Sequence, residues 1–158
     1  MSDILGWGHL AAALVALASG AAVLAIKKGT ALHRRVGWTY VVSILLVNGS
    51  AFLIYDLFGR FGPFHFAAAF SLASVLMGIV PARRRRPKGR WLRIHAYWMT
   101  GSYVGLVAAA VAETSTRYLD YDFGTTVIIA TVAVSAAGVT AIRAWVPSAI
   151  RGLARGAG

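Results

Sequence analysis

The sequence predicts an all-α protein: a polytopic membrane helix bundle of five transmembrane helices, with its N-terminus outside and its C-terminus cytoplasmic. Three observations predict it. The first is composition. The chain is 58% hydrophobic and only 13% charged, with a mean hydropathy of +0.68, whereas a soluble domain carries about 25% charge. The second is length: several apolar runs reach about 20 residues, enough to span a hydrocarbon core. The third is the placement of charge, which alternates from one inter-helix segment to the next.

The helices follow in order. The first is expected over residues 4–26. It stops at Lys27, Lys28 and Gly29, and Thr30 then stands as an N-cap. MSDILGWGHL lacks the basic segment of a cleaved signal peptide, so the first helix is expected to be retained. The second spans 31–57, opening on His33, Arg34 and Arg35 and then running apolar to Ile54. Gly59, Gly62 and Pro63 mark a turn, and Pro63 suits the first turn of a third helix over 64–80. PARRRRPKGR is a proline-bracketed basic loop. The fourth helix spans 91–113, TSTRYLDYDFG forms the next loop, and the fifth spans 125–145. These make one transmembrane domain over residues 1–146, and 147–158 reads as a flexible basic cytoplasmic tail.

Charge sets the orientation. Of the 16 Lys and Arg residues, 14 fall in the segments that follow the first, third and fifth helices or at the helix ends that border those segments. Only Arg60 and Arg117 fall on the other side, which holds or borders all five acids: Asp3, Asp56, Glu113, Asp120 and Asp122. The positive-inside rule then places the N-terminus outside, in a bacterial inner membrane. Aromatic residues near the helix ends, among them Trp7, Trp38, Tyr40, Tyr55, Tyr118 and Trp145, read as an interfacial belt. In a soluble chain the net charge of +11 would suggest nucleic acid. Here topology accounts for it, and no nucleic-acid partner is expected. The run Arg83 to Arg86 is expected to meet anionic membrane lipids.

The chain has no cysteine, which excludes disulfides, thiolate metal sites and a cysteine nucleophile. It also lacks a phosphate-binding glycine loop, HExxH and GxSxG. No catalytic residue is assigned.

Histidine carries the chemistry that remains. His9, His33, His65 and His95 each lie near the start of one of the first four helices. Alternating helix direction sorts them into two layers. His9 and His65 lie outward, where Glu113 and Asp56 join them, and two histidines with a carboxylate can ligate a divalent transition metal such as zinc, copper or iron. His33 and His95 lie toward the cytoplasm, where they can act as axial ligands of a haem b, with Met99 as another candidate ligand. Ionisable residues inside a span point to function by default. The plainer reading stands beside it: a histidine at a helix end can serve only interfacial water or a neighbouring helix. On the fourth helix His95, Met99, Ser102, Leu106, Ala109 and Glu113 share one face. Gly37, Gly101 and Gly105 are expected to permit close helix approach.

Four stretches carry a resemblance: the early membrane histidine His9; KGTxLHRRxGWxY from Lys28 to Tyr40; FGPFH with its following SL, from Phe61 to Leu72; and RxHAYWMxxSYVGLxAAxxAE from Arg93 to Glu113. Over about residues 5–115 the chain resembles the bacterial membrane-protein family called domain of unknown function 2306. The resemblance implies a multispan inner-membrane protein with recurrent histidines at the positions of His33 and His95. It assigns no reaction.

The expected function is therefore cofactor binding: haem or metal ions held by histidines, for electron transfer with a redox partner or within a homo-oligomer. Two alternatives stay open. One is a transporter or proton-relay component using the same residues. The other is a non-catalytic accessory subunit of a membrane complex.

Overall fold

The computed structural model describes residues 2–54 and 59–155, and for residues 2, 3 and 153–155 the backbone alone. Expectations that fall on Tyr55, Asp56 and residue 57, on the side chains of Asp3 and Arg155, and on residues 156–158 lie outside the described residues.

The described regular structure is helical throughout: α1 (Ser2–Ala25), α2 (Ala31–Ala51), α3 (Pro63–Arg84), α4 (Trp91–Tyr118) and α5 (Phe123–Arg155). Three stretches, Ile4–Ala25, Pro63–Arg84 and Phe123–Gly152, are long and apolar enough to cross a membrane. Among the described residues, three of the five expected crossings thus stand out on hydropathy. With 21 and 28 residues, α2 and α4 have the length. They are diluted by polar groups, Arg34, Arg35 and Asn48 in the one and Arg93, His95 and Glu113 in the other. The chain forms two compact units, Met1–Ala73 and Ser74–Gly158. The sequence reads as one domain because the boundary falls inside α3, where no linker marks it.

In the first unit α1 packs along α2. The turn between them is built by side chains. Lys28 Nζ donates to the carbonyls of Val23, Leu24 and Ile26 at 2.9, 2.5 and 3.0 Å, which caps the C-terminal end of α1. Burial against those carbonyls lowers the Lys28 pKa. Gly29 takes φ +79°, a conformation open to glycine. The Thr30 hydroxyl accepts the His33 N–H at 3.1 Å and caps α2. Tyr40, Val41 and Ile44 on α2 and Ala16 on α1 are buried. Tyr40 therefore leaves the interfacial belt, while Trp7, Tyr118 and Trp145 remain exposed as expected. Asn48 Nδ2 donates to Ser71 Oγ on α3 at 3.1 Å.

In the second unit α4 packs along α5. Leu106, Ala108 and Ala112 are buried on α4. A Cβ built on Gly138 would stand 2.6 Å from Val104 Cγ2, and nearer still to Cγ1, so α5 crosses α4 at contact distance there. In lipid, where apolar burial drives little association, such small-residue packing is the main source of helix affinity. Phe66, Phe70, Ile128 and Ile129 are each at least 63% exposed, an inside-out pattern that suits a lipid solvent.

Four helix ends differ from expectation, the first being α2, which stops at Ala51 with Phe52 as its C-cap where an end at residue 57 was expected. Past residue 80, α3 runs through Pro81 and stops at a Schellman-type turn: Arg85 takes φ +48°, and the Arg86 N–H reaches the Pro81 carbonyl at 3.3 Å. Past Glu113, α4 continues to Tyr118, its hydroxyls bonding back to the helix, Thr114 Oγ1 donating to Ala110 O at 2.7 Å and Thr116 Oγ1 to Glu113 O at 2.8 Å. The fifth helix passes through Pro147 and continues to Arg155, where a flexible tail was expected from residue 147. A proline removes one intrahelical hydrogen bond, and a segment rich in Ala, Leu and Arg tolerates that loss.

Candidate functional site

The four histidines differ in what their rings do, and hydrogen bonding fixes the tautomer of two, His95 and His65. His95, half-buried on α4, has Nδ1 at 3.0 Å from the Gly78 carbonyl oxygen of α3. A carbonyl can only accept, so Nδ1 carries the proton and Nε2 carries the lone pair. That is the arrangement found in ligating histidines, where an Nδ1–H to a carbonyl holds the ring and raises the basicity of the other nitrogen.

Gly78 is what allows it. A Cβ there would lie 2.6 Å from Met99 Sδ and 3.3 Å from the Met99 backbone nitrogen. Met99 fills the space a side chain at position 78 would need, so its placement is that of a packing residue beside the His95 ring.

His9, half-buried near the start of α1, sits with Nδ1 at 2.8 Å from Ser50 Oγ on α2. Ser50 has one proton, and its hydroxyl donates to the Leu46 and Val47 carbonyls at 2.7 and 3.0 Å. Those carbonyls and His9 Nδ1 compete for that proton, so the contact positions the His9 ring without fixing its tautomer.

His65 is the reverse. Gly62 N–H donates to His65 Nδ1 at 3.1 Å, and His65 N–H donates to Gly62 O at 3.0 Å. This reciprocal pair has the form of a capping box at the start of α3, with Pro63 in the first position of the helix. Nδ1 is the acceptor, so the neutral ring holds its proton on Nε2. The ring is only 3% exposed. It lies 4.6 Å from the Phe61 ring and 6.3 Å from that of Phe52, centroid to centroid. Nothing in the spacing of the sequence separates a capping histidine from a ligating one; FGPFH carries the hint, since Gly-Pro opens the helix three residues earlier.

Glu113 is exposed and pairs with Arg117 at 2.7 Å, one turn along α4. The buried stripe on this helix shifts toward Ala108 and Ala112, which leaves Glu113 outside it. His33 is half-buried in the first turn of α2, its backbone held by Thr30. His9, His33 and His65 belong to the first unit, and His95, Met99 and Glu113 to the second. Among the described residues, no group of three or more His, Asp or Glu side chains is placed to hold a metal ion. Cβ atoms on Gly101 and Gly105 would meet nothing within 4 Å; the close approaches belong to Gly78 and Gly138.

A family model described as a predicted membrane protein, DUF2306, matches residues 6–151. The chain belongs to the DUF2306 family. Membership extends through most of α5, beyond the stretch that carries the resemblance in the sequence, so the fifth helix is part of the family's common architecture. DUF2306 is described only as a membrane protein, which agrees with the apolar spans and assigns no activity. No curated protein and no solved structure matches the chain.

Proposed function

We propose that this DUF2306 protein is a multispan protein of a bacterial inner membrane that binds a redox cofactor, with His95 as a ligand through Nε2. The observation that carries the reading is the hydrogen bond from His95 Nδ1 to the Gly78 carbonyl, which leaves the ring in its ligating tautomer. A b-type haem suits the donor set better than a bare divalent metal: haem takes one or two axial protein ligands, whereas a metal ion takes three or four. A bound haem would supply one-electron chemistry. The chain's contribution is to fix the orientation of the His95 ring and to set the basicity of Nε2 through the Gly78 carbonyl. The proposed topology keeps five crossings, with the N-terminus outside. Polar α2 and α4 are then sheltered by their neighbours, as intramembrane polar residues require.

The test is an absorption spectrum of the purified protein, oxidised and reduced, with elemental analysis of the same sample. A Soret band that shifts on reduction is expected, with iron in step with protein. Folded protein that is colourless and metal-free contradicts the reading. Substitution at Met99 then tests that residue as a second ligand.

A proton-relay reading is favoured by one observation. His9 is half-buried at the proposed outer end of α1 and bonds across to Ser50 Oγ of α2, a hydroxyl able to donate or accept, as a proton-relay partner must be. Colourless protein with proton flux that His9→Ala abolishes would select it.

A further inference from the structure

We infer that the loop between α3 and α4 holds a binding site for the phosphodiester headgroup of an anionic phospholipid, centred on Arg83 and Arg84. The two arginines and Val80 line a cavity of about 440 Å³ at the C-terminal end of α3. The lining joins two cationic side chains to one apolar one, which is the chemistry of a headgroup joined to an acyl chain. Two guanidinium groups one residue apart match a phosphate better than two ammonium groups, because each presents a planar pair of donors.

The surroundings extend the match. Leu76, Met77 and Val80 are 47, 48 and 39% exposed on the last turns of α3 and lead into the cavity, offering an acyl chain an apolar track. Leu76, Val80 and Arg84 lie at i, i+4 spacing on one face. Arg85, Arg86, Lys88 and Arg90 are exposed on the same loop. From Ser74 to Ala112 the chain holds no Asp or Glu, so the stretch around the loop is cationic throughout. The Schellman-type turn with Arg85 at φ +48° closes α3 over this loop. Span Pro63–Arg84 ends here, which puts the arginines at headgroup depth. That depth favours a lipid over nucleic acid as the source of phosphate. The inference stands independently of the cofactor reading.

Lipid retention measured by native mass spectrometry tests it, with the full chain titrated with phosphatidylglycerol, phosphatidylcholine or inorganic phosphate. Phosphatidylglycerol should bind the unaltered protein well above phosphatidylcholine, and millimolar phosphate should not displace it. Arg83→Gln with Arg84→Gln should weaken phosphatidylglycerol about 10-fold or more, as the loss of two interfacial charges predicts. Arg143→Gln with Arg151→Gln, the same charge change on α5, should leave it within about 2-fold of the unaltered protein. Equal weakening by both pairs overturns the site in favour of a diffuse charge effect. Displacement by inorganic phosphate makes it a free-anion site and overturns the lipid assignment. If the glutamine pair fails to insert, Arg83→Lys with Arg84→Lys keeps the charge and loses the bidentate fit. It should still weaken binding, and unchanged binding counts against the inference.

Discussion

His95 Nδ1 donates to the carbonyl of Gly78 across 3.0 Å, from α4 to α3 within one compact unit. The bond needs both partners to be what they are. A residue larger than glycine at 78 would displace Met99 and move the carbonyl. A residue other than histidine at 95 would lose the donor and the opposing lone pair together.

Gly78→Val should therefore lower stability by about 1–3 kcal/mol, the usual range for overpacking a close contact. Its Cβ would press on the Met99 side chain and approach the Met99 backbone nitrogen. Met99→Ala combined with Gly78→Val should recover part of the loss. A thermal melt of the two single variants and the pair gives the coupling, and strict additivity would mean that the contact carries no energy.

Gly138→Ala should be harder to absorb. The atoms it meets are both methyl carbons of Val104, a β-branched side chain with one strongly preferred rotamer in a helix. A destabilisation of about 1–3 kcal/mol is expected, and Val104→Ala should relieve it. Full stability in the single variant would show that α4 and α5 do not pack at this point.

His65 should behave as a cap. His65→Ala removes the acceptor for Gly62 N–H and should cost about 1 kcal/mol. His65→Gln restores the capping-box residue and should recover much of it. Neither should change bound cofactor. Loss of iron or colour in His65→Ala, at unchanged folding, would return His65 to the ligands.

Asp122 starts α5, and its carboxylate accepts the Thr125 N–H at 2.9 Å and the Thr125 hydroxyl at 3.1 Å. These bonds, the backbone one foremost, hold its pKa below the usual carboxylate range. A depressed carboxylate stabilises the fold fully above its unfolded pKa of about 3.9 and loses that contribution as pH falls through the lower folded value. Asp122→Ala should lower Tm at neutral pH, and the difference from wild type should shrink below about pH 4. A gap that stays constant down to pH 2 would exclude the carboxylate as its source.

The helices were legible because apolar runs and glycine or proline stops are written locally. Thr30 and Pro63 could be assigned to helix starts from sequence for the same reason. The helix ends after residues 80, 113 and 145 were not legible, since they depend on whether side chains satisfy the backbone. Hydroxyls at Thr114 and Thr116 bond back into α4, and Arg85 adopts the left-handed turn usually given to glycine. The histidines show the same limit. Their positions could be read, but the direction of their hydrogen bonds could not, because a ring's tautomer is set by its partner in the fold, as the Gly78 carbonyl sets that of His95. The face of α4 was right from His95 to Leu106 and failed at Glu113, which an i,i+4 arginine holds at the surface.

The most direct test of the central claim is the reduced-minus-oxidised difference spectrum of the wild-type protein beside His95→Ala, each shown to be folded. The account predicts a haem signal in the wild type and its loss in His95→Ala, with His65→Ala keeping the wild-type spectrum. A wild type without signal, or a His95→Ala spectrum identical to wild type, would contradict it.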